Sequence, residues 1–241
     1  MIEFRDLRKA FNGRAILDGL TLDVRDRETM VIIGFSGAGK SVLLKHVVGL
    51  LHPDAGDVIV DGRAVAALDR VGLNAVRQDI GYVFQFAALF DSLTVFDNVA
   101  LGLRRRSLAP EEIAERVGEA LALVDLTGTD ARYPAELSGG MRKRVGIARA
   151  IALRPKYLLY DEPTTGLDPV TAAVMDRLMV RAREHLGLTG VVVTHDLRSA
   201  YTVGDRIAML YEGRIRQVGT VAEIQNSSDA VVRQFIEGRP E

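Results

Sequence analysis

Apolar positions recur along this chain in two rhythms, and their succession predicts an α/β fold. From Ile2 to Val24, short β-like segments such as Ile16-Leu17 and Leu20-Thr21-Leu22-Asp23-Val24 are broken by turn signals at Asn12-Gly13 and Asp18-Gly19, which predicts an antiparallel β layer. Thr29-Met30-Val31-Ile32-Ile33 is a short buried strand, and the apolar stretch Val42 to Val48 is a helix. A Pro53-Asp54-Ala55-Gly56 turn, a strand over 57–60, an Asp61-Gly62 turn and a strand over 80–84 follow. The middle of the chain then changes period. Helix spacing runs through 95–103, through 110–124 with Ile113, Val117, Ala120, Leu121 and Val124 on one face, and through 141–153. Strand character returns at Tyr157-Leu158-Leu159-Tyr160 and at Gly190 to Thr194, on either side of a long helical pattern from Pro169 to about Leu186. Continuous apolar strands alternating with helices imply a mostly parallel sheet covered on both faces. The expected organisation is one domain over 1–241, with a core of about 1–87 and 155–228, an inserted helical subdomain of about 88–154, and a short amphipathic helix at about 229–238.

Composition narrows the class. At 241 residues the chain has room for one large α/β domain with an insert. No run approaches the 18 or so apolar residues of a membrane-spanning helix, and no signal peptide is expected at the start. With no cysteine, a disulfide framework and a thiolate metal site are both excluded. Lys plus Arg number 31 against 32 for Asp plus Glu, so no global basic field points to nucleic acid. Two basic triplets, Arg104-Arg105-Arg106 and Arg142-Lys143-Arg144, fit either a solvated helix face or a surface that meets lipid headgroups or acidic partners.

The chemistry is concentrated in a few short stretches. Gly34-Phe35-Ser36-Gly37-Ala38-Gly39-Lys40-Ser41 fits G-x-x-x-x-G-K-[ST] at every fixed position, between the predicted strand and helix that this motif requires. It predicts a P-loop NTPase core in which Ser36, Gly37, Ala38, Gly39, Lys40, Ser41 and Val42 surround the phosphates of a nucleoside triphosphate. Lys40 reaches the β- and γ-phosphates, and the Ser41 hydroxyl ligates Mg²⁺. Tyr157 to Tyr160 deliver Asp161 and Glu162 to the C-terminal edge of a parallel sheet, where ligands bind. In one reading Asp161 holds Mg²⁺ and Glu162 polarises the attacking water; in the other the pair is a solvated acidic turn. Ser138-Gly139-Gly140 opens a helix with a hydroxyl and two unobstructed amides, which fits a second phosphate-binding end or an ordinary N-cap.

The succession of phosphate loop, Gln85, Leu137-Ser138-Gly139-Gly140-Met141, Asp161-Glu162, Thr165-Gly166-Leu167-Asp168 and His195 resembles the nucleotide-binding domain of ABC transporters over nearly the whole chain. The resemblance implies the ABC ATPase fold, with ATP and Mg²⁺ bound. It implies that Gln85 senses Mg²⁺ and the membrane partner, and that Ser138 to Gly140 contact the γ-phosphate of ATP held by the opposite subunit. Asp168 then lies at the subunit interface, His195 holds the γ-phosphate, and Phe11 stacks on adenine. With a helical insert between the phosphate loop and the Ser138 helix, each site is completed by a second copy, in a head-to-tail homodimer. Ser41 to His46, Phe84 to Val99 and Leu137 to Arg144 are similar to the ATPase of MCE-linked lipid transporters, the Mla type. That similarity implies integral permease subunits, an MCE-type substrate-binding protein and a small cytosolic subunit as partners, no nucleic acid, and a peripheral place on the cytoplasmic side of the inner membrane. The ATPase of a small-solute importer and a nucleotide-gated signalling clamp are the alternatives.

Overall fold

An apolar run without a polar face has to be covered on both sides, and such a run is then buried along its whole length. In the computed structural model, which describes residues 1–239, this holds for Thr29–Ile33, Tyr157–Asp161 and Thr189–Val193. The chain divides into two compact units, Met1–Arg77 with the stretch from Thr189 onward, and Gln78–Leu188.

The first unit opens with β1 (Ile2–Phe11), β2 (Arg14–Val24), β3 (Thr29–Ile33), α1 (Lys40–Val47), β4 (Ala55–Val60), β5 (Arg63–Ala64) and α2 (Arg70–Gln78). The second unit contains β6 (Ile80–Val83), α3 (Val95–Ala100), α4 (Pro110–Leu123), α5 (Gly139–Ile151), β7 (Tyr157–Asp161) and α6 (Pro169–Leu186). The chain then returns to the first unit with β8 (Thr189–Val193), α7 (Leu197–Val203), β9 (Arg206–Tyr211), β10 (Arg214–Thr220), α8 (Val221–Gln225) and α9 (Ala230–Ile236).

In the first unit, β2-β1-β4-β5 form the antiparallel layer that the turn signals predict. One face of it, including Ile2, Phe4 and Leu7 of β1 and Leu20, Leu22 and Val24 of β2, is buried. The other strands run β10-β9-β3-β8, with β3 parallel to both β8 and β9, and β10 antiparallel to β9. In the second unit β6 lies parallel to β7, with Val83 opposite Tyr160. Helix α5 packs there against α3, α4, α6 and β6. The predicted stripe Ile113, Val117, Ala120, Leu121 and Val124 is buried.

Local rules account for the helix bounds. Asp168 caps α6 through the Val170 and Thr171 amides, Pro169 takes the first helical position, and Gly187 ends the helix in the left-handed region at φ +64°. The predicted helix over 141–153 begins at Gly139, because Ser138 is its N-cap. The pattern over 95–103 is divided, an α-helix to Ala100 followed by a tighter turn over 103–106. The C-terminal amphipathic helix is α9, capped by Asp229. It docks on its own unit, burying Val232 completely and laying the Phe235 ring edge-on to Phe35, 5.1 Å between centroids. Among the described residues, no helix is long and apolar enough to cross a membrane.

Candidate functional site

In the first unit, the loop from Gly34 to Gly39 links the C-terminal end of β3 to α1. Gly39 is the N-cap of α1 at φ +101°, and a Cβ there would stand 2.9 Å from Ile16 Cγ2, so both conformation and space require glycine. Among the described residues no side chain caps α1, so its first amides face the loop mouth. Lys40 is 7% exposed, and its ammonium donates to the carbonyls of Gly34 at 2.9 Å and Phe35 at 3.2 Å. The cation is thus held across the loop, where an anion meets both it and the positive end of α1. The residues fit a polyphosphate chain.

Beside this loop lies an open cleft of about 620 Å³, lined by Arg14, Ala15 and Ile16, by Phe35 to Ala38, by Tyr211 to Gly213 and by Gln234. Phe11 pairs with Arg14 across the β1–β2 turn and leaves its ring 41% exposed, with Lys9 Nζ 5.5 Å from its centre. Phe35 meets Tyr211 as well as Phe235 edge-on. His195 is exposed, two residues beyond β8, just as Gly34 follows β3. The parallel register pairs Ile32 with Val193, so both loops leave neighbouring strands at the same end.

The second unit repeats this geometry with other side chains. Gln85 lies two residues beyond β6, and Asp161 ends β7 with Glu162 directly after it, at the same end of the parallel pair. Both acids are almost wholly buried, 8% and 9% exposed. Tyr82 Oη donates to Asp161 Oδ2 at 3.0 Å; burial first, and then the Asp161 charge, push the Tyr82 hydroxyl far above its usual range, so it stays a donor. Glu162 has left-handed backbone at φ +49°, and Thr165 Oγ1 donates to its Oε2 at 3.2 Å. The solvated-turn reading of this pair does not fit such burial.

Ser138 caps α5 by accepting from Met141 N at 3.2 Å, with Ser138 and Gly139 exposed. A Cβ at Gly139 would meet, among the described residues, nothing nearer than an Arg142 terminal nitrogen at 3.9 Å. Gly140 is closed in by packing, since a Cβ there would stand 2.6 Å from Thr171 Cγ2. The hydrogen bond from the Thr171 hydroxyl, then that from its amide, holds the Asp168 carboxyl below the usual range.

Most members of the two basic triplets are tied back to the chain's own carbonyls and carboxylates. Arg104 pairs with Asp97, Arg106 donates to the carbonyls of Leu153 and Gln78, and Arg142 donates to that of Leu137. Arg144 reaches the carbonyls of Val124 and Asp125, and Lys143 those of Pro163 and Thr165. Phe84, Phe86 and Phe90 are exposed by 41%, 84% and 53%, an apolar surface around Gln85. Tyr82 and Lys143 escaped the sequence reading. Tyr82 carried no local signal, because its place beside Asp161 is set by the parallel register of β6 and β7.

Residues 17–165 match the family described as ABC transporter. The chain is 44% identical over 239 residues to the methionine import ATP-binding protein MetN of Leifsonia xyli subsp. xyli (strain CTCB07), covering 98% of this chain and 70% of that protein. It is 40% identical over 239 residues to the probable ribonucleotide transport ATP-binding protein mkl of Mycobacterium leprae (strain TN), covering 99% and 69%. Among solved structures it is similar to cbiO1 from Clostridium perfringens, part of the ABC transporter complex cbiONQ, with a TM-score of 0.87 and 30% identity over 99% of this chain and 94% of that one. The dimeric post-hydrolysis state of the ATP-binding cassette MJ0796 bound to ADP and Pi gives 0.84 and 33%, over 92% and 99%. The chain belongs to the ABC transporter family and has the ABC ATPase fold. It is an ATP-binding subunit that hydrolyses ATP with Mg²⁺, of a family whose ATPase domains dimerise and partner with membrane permease subunits.

Proposed function

We propose that this chain powers lipid movement as the ATPase of an MCE-linked, Mla-type transporter, closing head to tail around two ATP molecules at the cytoplasmic face of the inner membrane. The observation that carries the dimer is the N-terminus of α5: its exposed Ser138 and Gly139 leave first-turn amides open to a phosphate brought by another chain. In each site, Phe11 stacks on the base, residues 36–42 cradle the phosphates, and Lys40 neutralises the γ-phosphoryl with His195 and the opposing Ser138, Gly139 and Gly140. Ser41, Gln85 and Asp161 are the residues that would hold Mg²⁺, which when bound supplies further neutralisation of phosphate charge. Glu162 orients and polarises the attacking water, and Asp168 lies where the two chains meet. The inserted region of about 88–154 serves as the helical subdomain.

Exposed Phe84, Phe86 and Phe90 next to Gln85 fit the apolar face of a permease helix. The lipid assignment is supported by the stretches 41–46, 84–99 and 137–144, which match the Mla-type pattern. An MCE-type substrate-binding protein and a small cytosolic subunit complete the proposed complex. Identity of 44% to a methionine import protein favours a second reading, the ATPase of a small-solute importer. Affinity purification of the tagged chain from native membranes, with mass spectrometry of proteins and lipids, separates the two. An MCE-type partner with enriched phospholipid supports the first reading; a solute-binding partner without lipid enrichment supports the second.

A further inference from the structure

We propose that Lys143 is a positioning residue for Glu162, holding the loop that carries this carboxylate to the flank of α5. This rests on the assignment of Glu162 as the group that polarises the attacking water. The Lys143 ammonium donates to the carbonyls of Thr165 at 2.8 Å and Pro163 at 3.0 Å, with the Glu162 carbonyl at 3.5 Å. One cation thus gathers the loop 162–165. The same Thr165 sends its hydroxyl to Glu162 Oε2 at 3.2 Å, so the path from ammonium to carboxylate passes through a single residue.

The loop needs such a hold. Glu162 has φ +49°, left-handed backbone that a residue with a Cβ keeps only where its surroundings enforce it. Burial lowers the Lys143 pKa and the Glu162 charge opposes that shift, which fits an ammonium committed to the loop and not to solvent. Helix α5 is a firm base, with Val145, Gly146, Ile147 and Ala148 all buried. It does the same for the loop beyond Gln85. There Ala87 and Ala88 have φ +58° and +48°, and Arg149 donates to their carbonyls at 2.7 and 2.6 Å. Two cations six residues apart on one helix therefore brace the two left-handed segments that flank the proposed catalytic groups.

The test is Lys143→Met in the full chain, which keeps the apolar stem and removes the donor. Misplacing a catalytic group by about 1 Å costs up to about 100-fold in rate, so kcat is expected to fall roughly 10- to 100-fold. KM and ATP affinity stay within about twofold, because the lesion acts on the reacting geometry and not on ground-state binding. Lys143→Arg, which keeps a donor, restores part of kcat. Thr165→Val, which removes the relay hydroxyl, lowers kcat in the same way, and in combination with Lys143→Met the two losses do not add. Unchanged kcat in Lys143→Met and Thr165→Val overturns the proposal, as does a loss of kcat matched by loss of ATP affinity and thermal stability. Glu162→Gln is the control. If it hydrolyses ATP normally, the Glu162 assignment falls; if it is inert while Lys143→Met is fully active, only the positioning role falls.

Discussion

Replacing Phe235 by alanine removes the ring that α9 lays against the phosphate loop. Deleting a fully buried phenyl costs about 3–5 kcal/mol, and partial exposure of Phe235 discounts this to about 2 kcal/mol. Its contact with Phe35, 5.1 Å between centroids and 82° between planes, has the edge-to-face geometry that adds about 0.5–1.5 kcal/mol. Fully buried Val232 and the Asp229 cap, itself held by Arg216, keep the rest of α9 in place. The expected destabilisation is therefore about 2–3 kcal/mol, which for a chain of this size lowers Tm by roughly 5–10 °C. Thermal unfolding followed by circular dichroism measures it. A double-mutant cycle with Phe35→Leu isolates the ring pair, with an expected coupling of about 0.5–1.5 kcal/mol. An unshifted Tm, or strictly additive effects in the cycle, refutes the docking of α9 on the phosphate loop.

Three further outcomes follow from the geometry. Tyr82→Phe removes the hydroxyl that orients Asp161; loss of an outer partner of a proposed Mg²⁺ ligand lowers apparent Mg²⁺ affinity in the ATPase assay by about tenfold, and an unchanged Mg²⁺ titration counts against that role. His46 is 1% exposed, its Nδ1–H donates to Val42 O, and among the described residues its Nε2 has no partner. Burial lowers its pKa in the folded state, so below pH about 6.5 the unfolded chain takes up a proton that the folded chain refuses, and stability falls by up to about 1.4 kcal/mol per pH unit. His46→Gln should flatten this acid limb in urea unfolding series, and an identical pH slope contradicts the assignment. Glu162→Gln keeps ATP binding and accumulates as an ATP-bound dimer without turnover, because the amide preserves shape and loses the charge that polarises water; near-normal phosphate release by the purified variant rules out the role given to Glu162.

What was legible in the sequence is what local rules determine. The phosphate loop announced itself because fixed glycines and Lys40 fall between a strand and a helix whose apolar runs admit little else. Helix α6 was bounded correctly because Asp168, Pro169 and Gly187 each obey a terminal preference. Other elements lacked such marks. Helix α2 is amphipathic yet buries only Val76 and leaves Val71 exposed, and β9 and β10 are joined by a Glu212-Gly213 turn, a weaker hairpin signal than Asn-Gly or Asp-Gly. The contacts that shape the site were hidden for a different reason. Tyr82 and Asp161 meet across a parallel register, Phe35 and Phe235 lie at opposite ends of the chain, and Lys143 sits in a basic triplet whose sequence fits either a solvated helix face or a partner-facing surface. In each case the partner is chosen by tertiary packing, which no local spacing records.

In the proposed dimer two chains complete each other's sites, and a mixture of two dead variants reveals whether they do. Lys40→Ala removes the cation from the phosphate loop, and Ser138→Arg fills the open first turn of α5 with a bulky charge. In a heterodimer of the two, one site carries both lesions and the other is wild type at both positions. Each variant alone should fail to close on ATP, and light scattering of verified heterodimers should show that ATP-dependent closure is partly regained. Complete absence of closure in those heterodimers would contradict the account and place both halves of each site within one chain.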